Sequence, residues 1–125
     1  MPMTLTDAMR AIQSAGYTLE GNGKRKTKTI KFVSPRRRRT LYLRRDQGFP
    51  RVADVNIHPE ILTTTIATIS GVTPGGRSGL RSGDSMKDFP EWPGAPRENN
   101  YYGRAFRCAS LDALTALCRE YDSVL

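Results

Sequence analysis

The chain has 125 residues, is 38% hydrophobic and carries a net charge of +8. That length suits one domain, residues 1–125, with one modest core. No run of about 18 apolar residues occurs, which excludes a spanning helix built from one. The N-terminal stretch has no apolar signal region, so a cytoplasmic protein with no membrane partner is expected. Cys108 and Cys118 show no CxxC spacing, and His58 is the only histidine. Buried free thiols, no metal and no cofactor are therefore expected.

The first predicted element is a helix. Thr4 is placed to cap it, with Asp7 three residues on in a variant of the capping box. Leu5, Ala8, Met9, Ile12 and Ala15 recur at helical spacing, and Gly16 suits the position just past the end.

Three strands are predicted next. Ile30 and Phe32 alternate with Thr29, Lys31 and Val33, and Leu41 and Leu43 alternate with Thr40, Tyr42 and Arg44. Ala53, Val55 and Ile57 alternate with Asp54, Asn56 and His58. This period of two marks strands with one buried face, joined as an antiparallel meander. Ser34 and Pro35 open the first turn, and Gly48 and Pro50 lie in the second link.

Residues 58–71 are expected to form a helix. Pro59 suits its first turn, Glu60 favours its N-terminal dipole, and Ile61, Leu62, Ile66 and Ile69 can form a stripe. The β-branched Thr63, Thr64, Thr65, Ile66 and Thr68 favour a strand instead. Residues 71–98, rich in Gly and Pro, are expected to be a long loop, with Phe89 and Trp92 pinning its later part. Arg-Ser-Gly occurs twice in it, so Gly-rich backbone beside Arg77 and Arg81 can face a phosphate, although no P-loop pattern is present.

The last two elements are a strand over 99–109 and a helix over 110–122. Ser110 caps the helix, and Leu111, Leu114, Leu117, Cys118 and Tyr121 form a stripe for the core or for a homodimer seam. The expected class is α+β: a three-stranded meander plus a fourth strand, helices on one face, order α-β-β-β-α-loop-β-α. The order of the first five elements resembles that of the double-stranded-RNA-binding domain, without that family's short motifs.

The charge is segregated. From Lys24 to Arg51 twelve basic residues face one acid, Asp46, so this segment carries +11 and the remainder −3. Solubility does not require such concentration, and an anionic partner would relieve the repulsion. Lys24, Arg25, Lys26 and Lys28 stand at the entry to the first strand of the meander. Arg36, Arg37, Arg38 and Arg39 project from the hairpin tip. Lys31, Tyr42 and Arg44, with Arg45 beside them, occupy the face away from the core, where Tyr42 can stack on a base. Guanidinium forks donate two hydrogen bonds to phosphate.

The expected function is a small basic nucleic-acid-binding module that contacts phosphates of DNA or RNA through an Arg-rich hairpin. Two alternatives stand beside it. One is a small metal-dependent nuclease using Asp54, His58 and Glu60, with Asp84, Asp88 or Glu91 as a third carboxylate. The other is an interaction or inhibitor protein that binds an acidic protein surface. No GxSxG, HExxH or Cys–His arrangement points to other catalysis.

Overall fold

The computed structural model describes residues 3–20, 29–45, 51–61, 63–75, 79–83, 86, 88–91 and 101–124, with residues 81–83 described as backbone alone. Helix α1 spans Leu5–Ser14. Thr4 Oγ1 accepts from the Asp7 N–H at 3.1 Å, and Asp7 Oδ2 accepts from the Thr4 N–H at 3.2 Å. The shorter Asp thus does the work of the usual Glu, satisfying two N–H groups that the first turn leaves without partners. Gly16, at φ +96°, takes the left-handed turn that ends the helix.

Among the described residues the sheet holds seven strands: β1 (Thr18–Leu19), β2 (Thr29–Val33), β3 (Thr40–Arg44), β4 (Ala53–Ile57), β5 (Val72–Pro74), β6 (Leu80–Gly83) and β7 (Tyr101–Cys108). Their order is β1-β2-β3-β4-β7-β5, every pair antiparallel. Strand β6 pairs with the first half of β7, and β5 with its second half, so the two lie end to end. Gly75 N donates to Ala105 O, and Ala105 N donates to Gly79 O, which carries the pairing across the gap between them.

Helix α2 spans Leu111–Ser123, with Ser110 Oγ accepting from the Ala113 N–H. It packs with α1 on one face of the sheet. Ile30, Leu43, Val55 and Phe106 share one register row of that face, and Phe32, Leu41 and Ile57 share the next. Ala8, Ile12, Leu114, Leu117, Cys118 and Tyr121 close the core from the helices. The α+β class, the meander, both terminal helices and the buried free cysteines agree with the sequence reading.

Two expectations are corrected. The described residues of the expected second helix, 58–61 and 63–71, form turns and a short 3-10 helix, Ile66–Thr68, rather than an α-helix or a strand. Consecutive β-branched side chains lose χ1 freedom in a helix, and among the described residues Ile66 is the buried core anchor of this segment, with Ile61 and Ile69 packed against the core more loosely. Leu62 and Trp92 lie outside the described residues. The stretch 71–98 is not one long loop, because it contains β5 and β6. The free edge of β7 presents unpaired N–H and C=O groups, and the glycine-rich backbone pairs with them. With a 3-10 helix and then strands following β4 among the described residues, the element order no longer follows that of the double-stranded-RNA-binding domain.

Candidate functional site

The β2–β3 hairpin tip is closed on itself. Ser34 N donates to Arg39 O at 2.8 Å, and Arg39 N donates to Ser34 Oγ at 2.9 Å. The tip is then tied to the end of α2. Asp122 Oδ1 accepts from the N–H groups of Arg36 and Arg37, at 3.1 and 2.9 Å. Asp122 is only 6% exposed. Burial raises its pKa, but these N–H groups and the Ser34 hydroxyl outweigh burial, so the carboxyl lies below its ordinary range. The backbone of the tip is thus an anion nest filled by the protein's own carboxylate.

Four arginines in a row therefore divide into two roles. Arg36, Arg37 and Arg38 are exposed. Arg39 turns inward, its Nη1 donating to Tyr121 O at 2.6 Å and its guanidinium lying 5.8 Å from the Tyr121 ring centre. Helix α2 has no basic residue in its last turn, yet Glu120 and Asp122 sit there. Carboxylates at a helix C-terminus oppose its dipole, and the hairpin supplies the missing cations from elsewhere in the sequence. That mismatch is the one signal in the sequence that asked for a basic partner at Asp122.

The outer face of the sheet is covered, which corrects the placement of Tyr42 among exposed charges. Tyr42 is only 4% exposed and packs with Met86 and Phe89, and Tyr101 borders the cluster. Its ring meets that of Phe89 edge-on at 5.0 Å, and its burial leaves no open face for a base to stack on. Asp88 pairs with Lys31 at 2.5 Å and accepts from Thr40 Oγ1 at 3.1 Å. The hydrogen bond from Lys31 to Asp88 raises the Lys31 pKa and holds the ammonium charged. Phe89 can lie this close because β7 has Gly103 beneath it.

The described cations of this region do not all sit at the tip. Arg44 and Arg45 are half-buried at the far end of β3 from the tip, about 13 Å away at some 3.3 Å per strand residue. Lys24, Arg25, Lys26, Lys28 and Arg77 lie outside the described residues, as does the Arg81 side chain.

No protein-family model matches this chain, and comparison with curated proteins finds no match.

The catalytic alternative gains nothing from the geometry. Asp54 is buried in register with Arg107, at the opposite end of β4 from His58. His58 Nδ1 accepts from the Glu60 N–H at 3.1 Å, so these two neighbours meet while Asp54 stands apart. Among the described residues no three His, Cys, Asp or Glu side chains converge to hold a metal. Asp84 lies outside them. Burial pushes the Cys108 thiol up to about 12, which leaves it protonated and a poor nucleophile. Among the described residues no helix is long and apolar enough to cross a membrane.

Proposed function

We propose that this protein is a small cytoplasmic nucleic-acid-binding module whose Arg36–Arg38 tip contacts backbone phosphates. The observation that supports it is the Asp122 anchor. The anchor fixes the backbone of Arg36 and Arg37 while three adjacent guanidinium groups stay exposed. A turn that is already ordered loses little further entropy on binding. Each guanidinium can fork onto a phosphate and release a condensed counterion.

A mobility-shift panel of single- and double-stranded DNA and RNA at two salt concentrations tests this. Affinity should fall steeply with salt. Arg36→Ala, Arg37→Ala and Arg38→Ala combined should lower the salt slope by up to about three, roughly one for each phosphate that the variant no longer neutralises. The circular dichroism spectrum should not change. Equal retention of the variant and the parent on nucleic acid would overturn the proposal. Loss of a protein partner by the variant, with no shift in any nucleic-acid lane, would assign the tip to an acidic protein surface.

A further inference from the structure

A cleft of about 400 Å³ opens at the tip end of β3 and β4, within the size range of small-molecule sites. Arg38, Arg39 and Thr40 form its hairpin wall, and His58, Glu60 and Ile61 form the wall that follows β4. Asp88, Phe89 and Tyr121 complete the lining.

The donors outnumber the open acceptors. Arg39 commits Nη1 to Tyr121 O, and its guanidinium carries four further N–H donors. Arg38 adds a second guanidinium from an exposed position at φ +54°, a left-handed conformation that arginine rarely adopts. His58 Nδ1 is occupied by the Glu60 N–H, so the neutral ring carries its hydrogen on Nε2 and is a donor there. The Asp88 carboxylate is already met by Lys31 and Thr40. Glu60 is exposed, and its carboxylate can accept from a hydroxyl. Ile61, half-buried in the lining, offers apolar surface to a sugar or base.

We propose that this cleft binds a phosphate monoester, the terminal phosphate of a nucleic-acid strand whose backbone continues over the exposed tip. A terminal phosphate has three free oxygens for the three donor groups Arg38, Arg39 and His58. An internal phosphodiester has two, and its chain must leave in both directions. This inference rests on the reading of the tip as a phosphate-contacting surface. A free mononucleotide offers the same chemistry.

The experiment uses the full chain and four probes: one oligonucleotide with a 5′-phosphate, a 3′-phosphate or hydroxyl ends, and free adenosine monophosphate. Fluorescence anisotropy reads the affinities. NMR reads the ring of His58, whose signals need no disentangling because it is the single histidine. A phosphorylated end should bind about tenfold more tightly than the hydroxyl-ended oligonucleotide and shift the His58 ring. His58→Gln should narrow that gap. Equal affinity for all three ends with a static His58 ring overturns the cleft proposal, while steep salt dependence in the same data keeps the tip reading. If no oligonucleotide binds but adenosine monophosphate moves the His58 ring, the cleft is a monoester site for free nucleotides and the tip reading falls. If no probe binds and the ring does not move, both fall.

Discussion

Asp122, in the last turn of α2, accepts a hydrogen bond from the backbone N–H of Arg37 at 2.9 Å, across 85 residues of sequence. A negative charge therefore organises the most positive turn of the chain. Asp122→Ala should destabilise the protein by about 1.5–3 kcal/mol, as expected when hydrogen bonds to a buried charge are removed. It should also weaken nucleic-acid binding, although net positive charge rises. Charge count alone predicts the opposite, so the sign of the change in mobility-shift affinity decides between them. Because the folded carboxyl lies below its ordinary value of 3.8, the unfolded state takes up the proton more readily. This contribution is fully present above pH 3.8 and is lost as the pH falls through the folded-state value. Urea midpoints measured down the acid limb should fall less steeply for Asp122→Asn than for the parent.

Gly103 gives Phe89 its seat. A Cβ at position 103 would stand 2.8 Å from the Phe89 ring and 3.0 Å from the Ile57 carbonyl oxygen. Gly103→Ala should therefore cost about 1–3 kcal/mol by overpacking. The displaced ring should also perturb Tyr42 and His58, which it meets edge-on at 5.0 and 5.7 Å. Thermal unfolding gives the cost, and the His58 ring signal reports the displacement. In a Phe89→Ala background the Gly103→Ala cost should shrink, since touching residues couple.

Tyr121 bridges the ends of two strands. Its hydroxyl donates to Thr40 O at 2.6 Å and accepts from the His58 N–H at 3.0 Å. Tyr121→Phe should leave both groups without that partner and destabilise the fold by about 1–3 kcal/mol. Tyr17→Phe is the matched control, because among the described residues the Tyr17 hydroxyl makes one hydrogen bond, donated to Cys118 O. Its cost should be nearer to about 1 kcal/mol, the usual net value of one hydrogen bond. Denaturant titration of both variants checks the order; equal costs would show that the bridge adds nothing.

Much of the architecture was legible wherever periodicity is local. Ile30, Phe32, Leu41, Leu43, Ala53, Val55 and Ile57 all face the core as their alternation required. Thr4 and Ser110 cap the two helices, since a cap is chosen by residues three positions apart. Strands β5 and β6 were not legible. At three and four residues, VTP and LRSG are too short to display an alternation, and both strands take their place by pairing with the edge of β7. Of the candidate site, the exposure of Arg36, Arg37 and Arg38 was legible, whereas the burial of Tyr42 was not. Its cover, Phe89, comes from a segment whose glycine-rich flanks concealed its path.

By itself the sequence determined the element periods, the caps and the concentration of cations between Lys24 and Arg51, because each depends on residues near one another along the chain. Only the tertiary structure decided which cations keep an exposed charge. Lys31 is paired with Asp88, Arg39 is drawn onto Tyr121, and Arg36 and Arg37 are held by the backbone with their side chains outward. Ion pairs and hydrogen bonds act over a few ångströms. Two groups 85 residues apart therefore meet or miss according to how the sheet and α2 pack, and no local pattern records that.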